Sequence, residues 1–157
     1  MATRWLDETQ QEAWRGFLAL VNRGLPQLER TLKEHDLLVV HYAILVALSS
    51  APHDTLRLSD LADAANLSQS RLTHRLRMLV DRGDVLVEAD DSDGRGKNAT
   101  LTPAGRRRLE LVAPIHAEDV QRLVFDQLDP AETGCLARAL SKVAAPLCDR
   151  DVPTPRT

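Results

Sequence analysis

The stretch from Ser68 to Arg82 carries the side chains whose types and spacing could do chemistry. Four arginines and one aspartate give it a formal charge of +3 (four minus one), in a chain whose net charge is −3. Arginine can pair with guanine and glutamine with adenine, while serine and threonine reach phosphates or base edges. The residues expected to contact DNA here are Gln69, Ser70, Arg71, Thr73, His74, Arg75 and Arg77. These residue types indicate reading of duplex DNA, with a solvated basic helix face as the alternative.

Two short helices are expected to position these side chains. Leu72, Leu76 and Leu79 recur at i, i+4 and i+7, so the segment from Ser68 predicts a helix with one apolar face. Before it, Ser59 can cap a shorter helix, and Asn66 tolerates the backbone twist that ends it. Two short helices joined by a tight turn predict a helix-turn-helix.

A β-hairpin is predicted to follow the second helix. Val85–Glu88 and Ala99–Leu101 have the composition of two strands, separated by the polar loop DDSDGRGKN from Asp90 to Asn98. Two strands with a charged tip predict a wing. The loop does not fit a calcium site, because counting from Gly94 as loop position 6 puts Ala89 and Thr100 where carboxylates are required.

Long helices are predicted on both sides of this unit. Asp7 can cap the first, whose apolar stripe runs from Trp14 to Leu32 and is kinked or divided by Pro26. Leu38–Ser50 is nearly all apolar and predicts a buried central helix. Thr102-Pro103 and Asp129-Pro130 each begin a later helix, and their apolar residues run from Leu109 to Leu147, with Pro114 as a predicted kink. These stripes exceed what one small winged domain can cover, so we expect a homodimer.

Composition narrows the class of protein. The 157 residues are 43% hydrophobic and 27% charged, which suits one compact domain with dimerising arms. Only 3% are aromatic, which argues against stacking platforms for single strands. Because no apolar run approaches membrane-spanning length and MATRWLDETQ is no signal peptide, we expect a cytoplasmic protein without membrane contact.

No enzyme or cofactor motif is present. The sequence lacks GxSxG, GxxxxGK[ST], HExxH and GxGxxG, so we predict no catalysis and no cofactor. His41, His116 and Glu118 or Asp119 could approach one another, but no HxxxH or CxxC spacing supports a metal site, and none is predicted. Cys135 and Cys148 are interpreted as packed small hydrophobic residues, with a redox switch as the alternative.

These residues resemble the MarR family of bacterial winged-helix transcription regulators over most of the chain. The specific parts are LADAANLSQSRLTHRLRMLVDRG (Leu61 to Gly83) and the wing followed by LTPAG (Leu101 to Gly105). The resemblance implies an obligate homodimer on palindromic double-stranded DNA, with recognition helices in adjacent major grooves and wing tips over the minor grooves. It also implies a small anionic or phenolic effector that releases the DNA in many members.

Carried onto this sequence, the family's wing motif falls on Asp93-Gly94-Arg95. Arg95 would enter the minor groove, Asp93 would hold it in place, and Lys97 would reach a phosphate. Gly94 stands where the family often has an arginine, so this wing has one cation fewer. An effector pocket near the dimer junction would use Trp14, Arg23, His41 and Tyr42, with core packing as the alternative for the aromatic residues.

The predicted fold is mainly α with a small β-wing, a winged helix-turn-helix with long N- and C-terminal dimerisation helices. The expected division is 1–37 for the N-terminal dimerisation helix, 38–102 for the DNA-binding domain, 103–148 for the C-terminal dimerisation helices and 149–157 for a disordered tail. The predicted function is sequence-specific DNA binding by a transcription regulator, as a repressor released by an effector. The alternative is a winged-helix protein-interaction module that does not read sequence.

Overall fold

The computed structural model describes residues 3–90 and 93–148, without the side chains of residues 93–95 and 148. Within these residues the helices are α1 (Glu8–Ala19), α2 (Leu25–Glu34), α3 (Val39–Ser49), α4 (Leu58–Ala64), α5 (Gln69–Asp81), α6 (Pro103–Leu123) and α7 (Pro130–Cys148). The strands are β1 (Thr55–Arg57), β2 (Val85–Asp90) and β3 (Asp93–Leu101). They form one antiparallel sheet in the order β1-β3-β2. The predicted winged helix-turn-helix fold is confirmed.

Local hydrogen bonds fix where the helices begin and end. The Asp7 carboxylate accepts from Gln10 N at 2.8 Å, and the Gln10 side chain accepts from Asp7 N at 3.1 Å, which is a reciprocal cap. Asp129 and Glu132 make the same exchange at the start of α7. Between α4 and α5, Asn66 adopts the left-handed backbone (φ 54°) that the predicted turn requires.

The division of the N-terminal helix at Pro26 takes an unexpected form. A π-helical turn covers Leu20–Gly24, and Leu25 N donates to Leu20 O, five residues earlier. Pro26 then lies in the first turn of α2, and it lacks the N–H that would otherwise donate to the preceding helical turn. The proline is therefore accommodated by a wider turn before it, and the chain passes from α1 to α2 without a loop.

Several predicted boundaries are wrong. The first helix of the helix-turn-helix begins at Leu58 after Arg57, not after Ser59, whose hydroxyl bonds to Asp60 instead. The wing strands extend further, to Asp90 and from Asp93, because the polar residues continue the backbone ladder with a bulge at Ala89 and Asp90. Most of the predicted loop is therefore strand. Helix α6 stays continuous through Pro114 and ends at Leu123, before a short 3₁₀ turn at Phe125–Gln127.

The buried core lies where α2, α3, α4, α5, the sheet and α6 meet. Its fully buried large apolar side chains include Leu32, Leu37, Ile44, Leu45, Leu48, Leu61, Leu72, Leu79, Val85 and Val112. Each of α3, α4 and α5 contributes its apolar face, so the recognition-helix candidate α5 is fixed on a packed base. None of the helices within residues 3–90 and 93–148 has the length and hydropathy to cross a membrane.

The two terminal helices leave apolar side chains in contact with solvent. In α1, Trp14 and Phe17 stack on each other with ring centroids 5.5 Å apart, yet are 52% and 45% exposed. In α7, Val143 and Leu147 are 64% and 66% exposed, and Leu140 lies on the same face. Such stripes are costly in water, and contiguous exposed apolar surface of this kind is typical of protein–protein contact.

Candidate nucleic-acid interface

Helix α5 presents a long polar face that begins at a well-formed cap. The Ser68 hydroxyl accepts from Arg71 N at 3.4 Å and lies 3.3 Å from the Ser70 hydroxyl. Leu72, Leu76 and Leu79 turn inward and anchor the helix in the core. All seven residues predicted to contact DNA from this helix are exposed: Gln69, Ser70, Arg71, Thr73, His74, Arg75 and Arg77.

The exposed residues of α5 divide into two flanks. Thr73 and Arg77 lie on one, where the Thr73 hydroxyl donates to Gln69 O at 2.9 Å and so has a fixed orientation. On the other flank, a depression of about 530 Å³ is lined by Val40, Leu67, Ser70, Arg71, His74 and Arg75. This concave surface brings two arginines together beside the helix, a charge arrangement that suits a phosphate backbone.

Met78, which was not among the residues predicted to contact DNA, shares the second flank. Arg71, His74, Arg75 and Met78 follow the spacing i, i+3, i+4 and i+7, and the Met78 side chain is 43% exposed. An exposed apolar side chain among cations can contact a thymine methyl group. Helical spacing alone could have identified it, but a methionine in an amphipathic helix is more often assigned to the core.

The wing stands beside α5 and is braced at the far end of β2. Arg57 of β1 pairs with Asp90 of β2 across the sheet, with Nη2 and Oδ2 2.6 Å apart, and the Asp90 carboxylate is almost fully buried. Lys97 is exposed on β3, opposite Ala89. The backbone of Asp93 and Arg95 belongs to β3, but their predicted roles rest on side chains that lie outside the described residues. A buried carboxylate at the end of β2 thus ties the wing strands to β1.

The four predicted effector-pocket residues occupy different environments. Trp14 has its ring partner in Phe17, and Arg23 is exposed in the π-helical turn. Tyr42 is half-buried against His116, with ring centroids 4.3 Å apart. His41 is fully buried, and its Nδ1 accepts from Leu38 N at 3.4 Å to cap α3. Tyr42 therefore lies at the junction of α3 with α6, while His41 has no solvent-accessible surface.

Titratable groups at this junction are perturbed by burial. Burial lowers the pKa of His116 and raises that of Tyr42, because both lose hydration of their charged forms. Hydrogen bonds from Thr31 and then Arg122 hold the pKa of Asp119 below its ordinary value. His116 Nδ1 and Asp119 Oδ2 are buried without a hydrogen-bond partner among the described side chains. Within that same part of the chain, no three His, Cys, Asp or Glu side chains are grouped to hold a metal ion.

Cys135 does not pack within the described protomer, contrary to the interpretation from the sequence. Cys135 is exposed on α7, and Arg138 Nη2 donates to its sulfur at 3.1 Å. The reason is that the described protomer leaves this helix largely uncovered. The side chain of Cys148 and the predicted tail at 149–157 lie outside the described residues.

No protein-family model and no curated protein matches the sequence. Solved structures do match over nearly the whole chain. It is similar to AbsC, a MarR family transcriptional regulator from Streptomyces coelicolor, at 38% identity and a TM-score of 0.88, covering 94% of this chain and 100% of that one. It is also similar to Sco3205, a MarR family transcriptional regulator from the same organism solved in complex with DNA, at 34% identity and a TM-score of 0.90, covering 99% of both chains.

A more distant match concerns ligand regulation. The chain is 25% identical to BpsR of Bordetella bronchiseptica, with a TM-score of 0.66, covering 82% of this chain and 98% of that one. That structure concerns the mechanism by which 6-hydroxynicotinic acid regulates the DNA binding of BpsR.

Proposed function

Because this chain belongs to the MarR family of transcriptional regulators, we propose that it acts as a homodimeric repressor that reads palindromic duplex DNA and releases it to a small effector. The observation that carries the proposal is the outer face of α5. Seven exposed polar or basic side chains stand on a helix whose other face is locked in the core. A helix of this kind can enter the major groove without rearrangement.

The proposed contacts divide by role. Gln69, Ser70, Thr73, His74 and Arg77 would meet base edges, while Arg71 and Arg75 would meet phosphates from the concave flank. Arg95 would enter the minor groove with support from Asp93, and Lys97 would meet a phosphate. Duplex DNA is the favoured partner because these side chains provide both base-reading and charge-neutralising groups on adjoining surfaces. The DNA complex of Sco3205 supports the same choice.

Dimerisation is proposed from the uncovered terminal helices. The exposed stripes of α1 and α7 have no other cover within the described protomer, and a two-fold dimer presents two equivalent α5 helices to a palindrome. We accordingly propose 1–37 and 103–148 as dimerisation segments around a DNA-binding domain at 38–102. The structural relatives are regulators, not enzymes. No catalysis is part of the proposal, and the site of action is the cytoplasm.

An anionic or phenolic effector would bind near the junction of α3 and α6. Tyr42 offers a half-buried ring and hydroxyl there, and Arg23 offers an exposed cation on the π-helical turn. A compound screen for release of bound DNA tests this part. Release that Tyr42→Phe and Arg23→Ala leave unchanged would place the effector elsewhere.

Selection of bound duplexes from a random pool tests DNA reading. The expected product is a pseudo-palindrome with half-site centres about 10 bp apart, one helical turn. Titration of Thr73→Ala and Arg95→Ala then separates the two kinds of contact. Loss of a base contact at Thr73 should cost about 1–3 kcal/mol on the selected site and little on scrambled duplex. Loss of Arg95 should weaken binding to both duplexes and reduce the slope of log affinity against log salt by about 0.9 for each phosphate contact removed.

The control variant is Arg15→Ala, which removes an exposed cation from α1. It should leave affinity for both duplexes unchanged. If the parent protein binds selected and scrambled duplexes equally and neither variant alters binding, the interaction-module alternative replaces this proposal.

A further inference from the structure

The end of α5 and the start of α6 meet at a junction with little freedom to move. Helix α5 closes with two backbone bonds, Gly83 N to Val80 O at 2.9 Å and Asp84 N to Leu79 O at 2.8 Å. Gly83 takes the left-handed backbone (φ 75°) that this closure requires. These two hydrogen bonds therefore hold residues 83 and 84 against the last turn of α5.

The first turn of α6 is bonded to these two residues. Thr102 N donates to Asp84 O at 3.0 Å, and the Thr102 hydroxyl lies 2.6 Å from Gly83 O while accepting from Gly105 N at 3.1 Å. A Cβ atom at Gly105 would lie 2.1 Å from Asp84 O, which shows how closely the α6 backbone approaches. The backbone contacts fix the distance between the two helices.

An ion pair between the buried Asp84 carboxylate and the partly exposed Arg108 side chain fixes the direction in which α6 leaves this junction. The Asp84 side chain is 1% exposed, and Arg108, one turn further along α6, donates from Nε to Oδ1 at 3.1 Å and lies 3.0 Å from Oδ2. A buried carboxylate strongly disfavours losing its cation. Rotation of α6 about its own axis would carry Arg108 away from Asp84, so the pair opposes rotation in a way that apolar contacts do not.

Resting on the proposed function, we propose that Asp84 and Arg108 are positioning residues for DNA recognition. They set the angle between α5 and α6, and α6 leads through a short 3₁₀ turn into α7, whose exposed apolar face is the surface through which two copies would associate. The pair thereby sets the separation of the two α5 helices, and so the half-site spacing that the dimer accepts, without touching DNA. Buried polar pairs can confer such structural specificity even where they add little stability.

The experiment uses the full chain and the palindrome selected from the random pool. Half-sites are moved closer and further apart by one and two base pairs, and affinity is measured for each duplex and for an isolated half-site. The variants are Arg108→Lys, which keeps the charge but changes the donor geometry, and the double variant Asp84→Leu with Arg108→Leu. The double variant replaces the pair by apolar side chains, which is often neutral or stabilising and so keeps a folded protein available.

The parent should bind the selected spacing more tightly than the altered spacings. In both variants, the ratio of these affinities should fall about tenfold, which is comparable to the effect of one mismatched base pair. Affinity for the isolated half-site should stay unchanged. A variant that had lost its fold or its base contacts would instead bind the half-site more weakly. Arg107→Lys and Arg107→Leu are the matched controls, because Arg107 is the exposed neighbour on the same turn. They should keep the parent's preference.

A folded, dimeric double variant with the parent's spacing preference would overturn this inference and leave the proposed function intact. A parent that selects no palindrome would overturn the proposed function itself, and the positioning role with it.

Discussion

At the scale of single residues, His41 combines a structural task with a titratable ring. Its Nδ1 accepts a hydrogen bond that caps α3, so this nitrogen must be unprotonated, and the side chain is fully buried. Burial lowers the pKa of His41, Arg82 and Arg75 lower it further, and only Asp84 acts in the opposite direction. The folded protein therefore binds a proton at His41 less readily than the unfolded chain does.

This difference predicts acid sensitivity. A histidine in the unfolded chain titrates near pH 6.5, so below that pH the unfolded state takes up the proton first and folding stability falls. The loss continues down to the lowered pKa of the folded state, at no more than about 1.4 kcal/mol per pH unit for each such group. Above pH 6.5 both states are neutral and the group contributes no slope. Urea unfolding between pH 8 and pH 5 should show this decline.

His41→Gln should make the decline shallower, because a glutamine oxygen can accept the same cap bond without titrating. The decline should not vanish, since burial also lowers the pKa of His116. His35→Gln, at the end of α2, is the control for removing any histidine. Parallel pH profiles for His41→Gln and the parent would show that His41 does not carry the effect.

At the scale of elements, the close contact of α6 with the end of α5 leaves no space for a side chain at Gly105. Alanine there would put Cβ 2.1 Å from a backbone oxygen and 2.8 Å from Leu101 Cδ1, so one element must shift. We expect Gly105→Ala to lower the free energy of unfolding by about 1–3 kcal/mol. Gly16→Ala is the matched control, since among the described residues nothing beyond its chain neighbours and the adjacent backbone of α1 lies within 4 Å of its new Cβ. It should raise stability by about 0.5–1 kcal/mol. Equal effects in denaturant titrations would refute the packing argument.

Elements whose signals are local could be predicted from sequence. Asn66 ends α4, Ser68 caps α5, and Thr102 with Pro103 begins α6, because each acts through its own or adjacent backbone groups. The Asp84–Arg108 pair could not be predicted, since residues 24 positions apart in the sequence are brought together only by the tertiary fold. The π-helical turn was missed for a related reason, because Pro26 can be accommodated by a kink, a break or a wider turn.

In the candidate site, too, features that depend on local sequence could be predicted, and features that depend on tertiary contacts could not. The exposed face of α5 could be predicted from its spacing, whereas the concavity beside Arg71 and Arg75 depends on where Val40 of α3 lies. Likewise, Arg57 and Asp90 show no relation in sequence, but antiparallel pairing of β1 and β2 with β3 brings them together at the far end of β2.

At the scale of the whole molecule, the face of α7 that carries Leu140, Val143 and Leu147 predicts association. Val143→Glu should place a charge in the covered surface and shift the protein from dimer to monomer, or prevent folding where folding requires the partner. Lys142→Glu is the matched control, because helical spacing puts Lys142 on the opposite face of α7. Sedimentation at micromolar concentration checks both. A parent protein that sediments as a folded monomer of 17.4 kDa would contradict the prediction.

The uncovered apolar faces of α1 and α7 also have a genetic consequence. A chain with an intact dimer surface and a damaged α5 still pairs with normal chains, and each mixed pair holds only one working reader. With equal synthesis of both chains, roughly three quarters of all pairs would carry at least one damaged copy if pairing is random. Mutations in α5 should therefore be dominant over the normal allele, whereas mutations that prevent α1 or α7 from pairing should be recessive.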